Sequence, residues 1–81
     1  MYTVYVLRSI KLGTFYTGQT ENIENRLQEH NQGMSFYTKS KRPWELVYSE
    51  HFFSRSEAMK REKYLKTGAG RDFILRKLSE K

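Results

Sequence analysis

Ile23, Arg26, Leu27 and His30 recur at i, i+3, i+4 and i+7 in the segment FYTGQTENIENRLQEH, from Phe15 to His30. That is the spacing of one helix face. A helix packed on a core needs four apolar side chains there, and this one supplies two, with a guanidinium and an imidazole. A charge taken out of water needs a partner. Either Arg26 reaches from the edge of the face into solvent, or the face lines a cleft that takes a phosphate. A second segment repeats the pattern with opposite sign. Glu62 lies four residues after Ala58, three after Met59 and three before Leu65, so its helical neighbours on that side are apolar. It needs a hydrogen-bond partner, a cation or a metal, and an ion pair with Arg26 is one way to meet that need.

Two inward charges beside strands that carry Tyr5 and Tyr16 form a set with defined chemistry. A carboxylate can hold a hard cation such as Mg²⁺ with waters completing the shell. A guanidinium can grip a phosphate through two oxygens. A phenol ionises near pH 10, so acting as a base requires a nearby cation to lower that value. Activation of water, neutralisation of charge on phosphorus and stabilisation of the leaving oxygen are what phosphodiester hydrolysis requires.

The elements that must position these groups are legible in order. Tyr2 to Arg8 alternates β-branched and aromatic residues with no polar face, as a strand buried on both sides does. Ser9 to Gly13 is a hairpin-length connection with Gly13 suited to positive φ, and Thr14 to Gln19 is the antiparallel partner. Gly18 inside that strand marks a bulge or a close backbone approach. Thr20 or Asn22 caps the first helix and Gly33 stops it. Met34 to Pro43 has no sustained period and is expected to be a loop. Trp44 to Phe52 is a third strand. Ser54 and Glu57 form a capping box, and Phe53 with Ala58 forms a hydrophobic staple. They open a second helix from about Arg55 to Thr67, stopped by Gly68. A last helix from about Arg71 to Leu78 presents Ile74, Leu75 and Leu78 to the body. The expected fold is α+β: a small three-stranded, mainly antiparallel sheet with helices against it, in the order ββαβαα.

Eighty-one residues make one domain, residues 1–81, with any site shallow and open. The absence of cysteine removes disulfides, thiolate metal sites and a cysteine nucleophile, and fits the cytoplasm. No apolar run approaches the length of a membrane span, and no export signal opens the chain. A net charge of +6, with bases interleaved among 15% aromatic residues, favours a polyanionic partner bound on a folded surface. Lys39, Lys41 and Arg42, together with Lys60, Lys63 and Lys66, are the candidate nucleic-acid contacts. Lys60, Arg61, Lys63 and Lys66 are read as a solvated face. Phe36, Tyr37 or Trp44 would stack on unpaired bases.

On these residues the chain resembles the GIY-YIG nuclease domains, over most of its length. Thr3-Val4-Tyr5 matches the first half-motif and Tyr16-Thr17-Gly18 the second, on consecutive strands. Arg26 and His30 match the helical Arg and His, and Glu62 the metal-binding acid. The size is similar to small bacterial members likened to the N-terminal domain of the excision-repair nuclease subunit. The resemblance implies a divalent-metal-dependent endonuclease of low sequence specificity, acting on DNA more readily than RNA, in repair or recombination. It makes Tyr5 and Tyr16 the active-site tyrosines, with Tyr16 as base or water-positioning group. Arg26 stabilises the transition state, His30 assists protonation or positioning, and Glu62 holds one Mg²⁺ or Mn²⁺. Gly18 gives the backbone a close path past the site. Thr3, Val4 and Thr17 replace the family's Gly, Ile and Ile, and no Asn follows Glu62, where many family nucleases have a functional one. The accessory DNA-binding domains are missing, so a protein partner would supply selectivity. The alternative is a binding module that keeps the fold and the basic surface without the chemistry.

Overall fold

Residues 1–80 are described by a computed structural model. The elements follow as β1 (Tyr2–Ser9), β2 (Phe15–Thr20), α1 (Ile23–Gln32), α2 (Phe36–Lys39), β3 (Trp44–Phe52), α3 (Arg55–Leu65) and α4 (Gly68–Ser79). The strands make one antiparallel sheet in the order β2-β1-β3, and the fold is α+β, as expected from the sequence.

β1 is the central strand and is buried on both faces. Val4 and Val6 pack against Ala58, Leu65 and Ile74 of α3 and α4. Tyr5 and Leu7 turn the other way, toward Trp44 and the half-buried Tyr16, Ile23 and Leu27. The alternation of a single strand therefore divides the core in two, one part under α1 and one under α3 and α4. The first hairpin turns at Gly13 with φ 76°. At its base the buried Ser9 hydroxyl donates to the Lys41 carbonyl at 2.7 Å and accepts from the Leu12 N–H at 3.0 Å. The hairpin is thus tied to the segment that leads into β3.

Asn22 caps α1, its side chain accepting from the Asn25 N–H at 3.0 Å. Gly33 ends the helix in the left-handed region at φ 81°. The Asn31 side chain holds this helix to the start of β3, accepting from the Trp44 N–H at 2.6 Å and donating to the Trp44 carbonyl at 3.1 Å. On α3, the Ser54 hydroxyl accepts from the Glu57 N–H and donates to the Glu57 carboxylate, as the capping box requires.

Several expectations are corrected. The stretch from Met34 to Pro43 is not wholly loop: α2 forms within it, because Thr38 is drawn into the core by a partner on α1. Phe53 is exposed, so no staple forms with Ala58. Lys66 ends α3, and Thr67 at once caps α4 by accepting from the Gly70 N–H, so α4 starts at Gly68 rather than stopping there. Met59 and Leu75 lie on the outer sides of their helices. Arg61 is no solvated base. Its guanidinium donates to both carboxylate oxygens of Glu50 on β3, Nε at 3.0 Å and Nη2 at 2.9 Å, and Tyr48 donates to the same carboxylate. This bidentate pair sets the rotation of α3, and so the direction taken by its neighbour, Glu62.

The corner between α3 and α4 is close-packed on backbone. A Cβ at Gly70 would lie 2.1 Å from the Tyr64 carbonyl oxygen and 2.5 Å from Leu65 Cα, whereas one at Gly68 meets nothing. Gly70→Ala is expected to destabilise by at least about 1–3 kcal/mol. Gly68→Ala is expected to be neutral or to stabilise by about 0.4–1 kcal/mol. Urea unfolding midpoints of the two variants check the contrast.

Candidate active site

Tyr5 lies opposite Gly18 across the β1–β2 ladder, and its phenol fills the space a side chain there would take. A Cβ at Gly18 would stand 2.6 Å from Tyr5 Oη and 3.3 Å from the Tyr16 ring. The close approach that Gly18 signalled is made by a side chain, and no bulge interrupts this ladder; the register shift falls between Val6 and Leu7 on the β3 side. Tyr16 stands on β2, the edge strand, half-buried. Its ring centroid is 6.4 Å from that of Tyr5, 5.1 Å from His30 and 5.9 Å from Tyr37.

His30, fully buried at the inner face of α1, bridges Tyr5 and Thr38. Its Nε2 is 3.1 Å from Tyr5 Oη and its Nδ1 is 2.8 Å from Thr38 Oγ1. The Thr38 hydroxyl has no second partner among the described residues, and Thr38 is completely buried. Tyr5 Oη, also buried, likewise has His30 as its one side-chain partner among the described residues, so the neutral imidazole donates to one of the two hydroxyls and accepts from the other. Thr38 is itself held from behind, its carbonyl accepting from the Trp44 indole N–H at 3.0 Å.

Electrostatics keep both members of the Tyr5–His30 pair neutral. Burial raises the Tyr5 pKa well above the ordinary 10.0; Tyr16 adds to the rise, Arg26 opposes it, and Glu62 and Glu29 add further. Tyr5 is thus a neutral phenol across the physiological range. Burial likewise lowers the His30 pKa from 6.5, helped by Arg26 and opposed by Glu29, so the imidazole is neutral.

Arg26 and Glu62 both act on Tyr5 through their charge, from helices on opposite faces of the sheet. They do not pair with each other, and the expected Arg26–Glu62 bridge is absent. Arg26 Nε is 3.6 Å from Glu29 Oε1 with its side chain 45% exposed, and the Lys66 ammonium donates to Glu62 Oε2 at 2.7 Å. Glu62 remains the more enclosed partner, with 20% of its side chain exposed. Among the described residues no three His, Cys, Asp or Glu side chains gather as a metal cage. One carboxylate suits only a hydrated divalent ion whose other ligands are water and phosphate oxygens, the usual habit of Mg²⁺.

The candidate nucleic-acid contacts fall in two places. Lys39, Lys41 and Arg42 surround α2, with the Lys41 ammonium 4.4 Å from the centre of the Tyr37 ring. Lys60, Lys63 and Lys66 are exposed on α3. Phe36 and Tyr37 are exposed, but Trp44 is buried and cannot stack on a base. Sequence reasoning missed Thr38, because a threonine in an aperiodic stretch carries no signal that a histidine eight residues earlier needs it.

Thr38→Val keeps the shape and removes the hydroxyl bonded to His30 Nδ1. It is expected to cost about 1–3 kcal/mol, the penalty for an unsatisfied buried group, and to change the tautomer balance, read from the imidazole ¹⁵N shifts. Thr38→Ser should restore both. His30 also couples stability to pH. The unfolded chain takes up a proton near 6.5 while the folded chain resists it, so stability is full above that value and falls as the pH drops below it. Urea midpoints between about pH 7.5 and about pH 5.5 should fall more steeply for the wild type than for His30→Gln.

The family model of the GIY-YIG catalytic domain matches residues 1–72. A UPF0213 protein of Staphylococcus haemolyticus is 49% identical over 65 residues, 79% of this chain and 78% of the relative. UPF0213 proteins of Staphylococcus saprophyticus and Staphylococcus aureus are 46% and 42% identical over the same shares. The solution NMR structure of the UPF0213 protein BH0048 from Bacillus halodurans superposes with a TM-score of 0.56 at 31% identity, covering 94% of this chain and 84% of that one. Strand pair, helical Arg and His, and the family match coincide: the chain belongs to the GIY-YIG catalytic-domain family, a family of nucleases, among its UPF0213 members.

Proposed function

We propose that this chain is a divalent-metal-dependent endonuclease that hydrolyses phosphodiester bonds of DNA, in preference to RNA, with little sequence selectivity. The observation that carries the reading is the pairing of two unlike phenols. Tyr5 is buried, protonated and oriented by His30, while Tyr16 lies beside it on the sheet edge, within reach of water. Tyr16 orients the attacking water by a hydrogen bond as the new P–O bond forms and the bond to the leaving oxygen breaks; the water's proton passes to solvent, and solvent returns one to the leaving oxygen. Tyr5 offers its neutral hydroxyl to the reacting phosphate, and His30, bonded to it, acts through Tyr5 as a positioning residue. Arg26 leaves its weak, exposed pairing with Glu29 to hold the phosphate oxygens as negative charge builds. Glu62 would hold a single Mg²⁺ or Mn²⁺, exchanging it for the Lys66 ammonium. The bound ion supplies charge neutralisation at the phosphate and the leaving oxygen.

No helix among the described residues is long and apolar enough to cross a membrane. A cytoplasmic place in DNA repair or recombination, with a protein partner adding selectivity, fits this activity. A second reading, binding without hydrolysis, is favoured by the lone carboxylate at the metal position. In that reading Lys39, Lys41, Arg42, Lys60, Lys63 and Lys66 track phosphates, and affinity falls steeply with salt.

Supercoiled plasmid incubated with Mg²⁺ or Mn²⁺ is expected to be nicked and linearised by the wild type. Glu62→Gln should lose the metal stimulation, and Arg26→Ala should lose about 100–1000-fold in rate, as when one group stabilising transition-state charge is removed. Plasmid and single-stranded DNA both retained in a gel shift but left intact under every metal condition would instead establish the binding module.

A further inference from the structure

A cleft of about 460 Å³ opens along the free side of β2, next to Tyr16. Its floor is apolar, formed by Val6, Leu65 and Ile74, and Tyr16 and Tyr37 stand at its wall. Lys66 and Arg71 supply its charge, and no carboxylate lines it. Arg71 is exposed and makes no side-chain hydrogen bond or ion pair to another described residue, so its guanidinium is free for a ligand. Tyr37 is 63% exposed and the adjoining Phe36 96% exposed. Two adjoining exposed rings offer a stacking surface to a flat partner.

A phosphate alone would need the two cations and gain nothing from the apolar floor. A duplex presents sugar and phosphate on its outside and keeps the faces of its bases stacked, so it cannot place a base on that floor. A nucleotide with an unpaired base meets all of these features together. Its ring rests on the floor against a tyrosine, and its phosphate meets Lys66 or Arg71. The cleft and the candidate active site share Tyr16, so the nucleotide it holds adjoins the phosphate to be cut.

We propose that this cleft is a subsite for an unpaired nucleotide, so that the chain acts where its substrate is single-stranded at the cleavage point. The placement beside the scissile phosphate rests on the nuclease reading. The selectivity for an unpaired base does not, and it can be read with hydrolysis switched off.

Fluorescence anisotropy in EDTA should compare an oligothymidylate of about 12 nucleotides, within the site sizes of such surfaces, with a blunt duplex of equal length. The single strand is expected to bind more tightly. Tyr37→Ala should weaken it by about 5- to 150-fold, the span of base–aromatic stacking, while leaving duplex binding within about twofold, and Arg71→Ala should weaken it and flatten its salt dependence by removing a phosphate contact. Both side chains are exposed and Tyr37 bears on neither core, so the folds should persist; circular dichroism confirms that they do. Equal binding of the two probes, or equal weakening of both by Tyr37→Ala, overturns the proposal. Cleavage assays on the same probes with Mn²⁺ then separate the two readings. Cutting of duplex and single strand at equal rates sinks the subsite and spares the nuclease. A strand preference in EDTA with no cutting of any probe upholds the selectivity and sinks the nuclease.

Discussion

Tyr5, His30 and Thr38 are hydrogen-bonded to one another inside a small core, and the remaining structure is arranged so that each bond can be made. A buried hydroxyl or imidazole left unpaired costs about 1–3 kcal/mol, a large share of what a domain of this size has to spare. The three side chains come from a strand, a helix and a one-turn helix, so satisfying them fixes how those elements meet. Gly18 must lack a side chain to admit the phenol. α2 must form to deliver Thr38, and Trp44 must sit behind it to hold its carbonyl. Asn31 and Ser9 then close the loops on either side. One buried polar chain thus explains several residues whose types would otherwise be arbitrary.

The charged groups follow a different rule. Arg26 and Glu62 stand at the rim, each held by a neighbour on its own helix, and such exposed pairs are worth a few tenths of a kcal/mol. They keep the site electrostatically quiet in the free protein and yield readily to a phosphate or a cation. The Arg61–Glu50 pair is the opposite case. It is bidentate, half-buried and packed under the rings of Tyr64 and Phe73, so it fixes the orientation of α3. Adjacent residues on α3 therefore divide the work, Arg61 anchoring the helix and Glu62 remaining exchangeable.

Much of this was legible in the sequence because it is local. The strand alternation, the Asn22 and Ser54 caps, the Gly13 and Gly33 turns and the mixed face of α1 are all set by residues within one or two turns of each other. The failures lie in contacts between different elements, or in a choice among nearby partners that spacing leaves open. Trp44 looked available for stacking until its indole found the Thr38 carbonyl. Arg61 looked solvated because Glu50 is on another strand. Arg26 and Glu62 looked like partners because opposite charges on two inward faces suggest a pair. In fact the helices lie on opposite sides of the sheet, and closer residues satisfy each of them. Glu62 was legible as unusual, but its present partner, Lys66, had been assigned to the outer face.

The position of the two tyrosines in the sheet shows why one residue type can serve two purposes here. β1 is central, so Tyr5 is covered on both sides, loses water and has its proton held in place. β2 is an edge strand with its outer side unpaired, so Tyr16 is covered by the sheet on one side and meets the cleft on the other. Free edges usually invite association with other strands. This one is short and leaves its open side to a basic, aromatic-lined groove, which suits an anionic ligand better than another strand. A phenol that must hold a proton and a phenol that must meet water cannot share an environment. Antiparallel neighbours, one central and one at the edge, give each its own within a single hairpin.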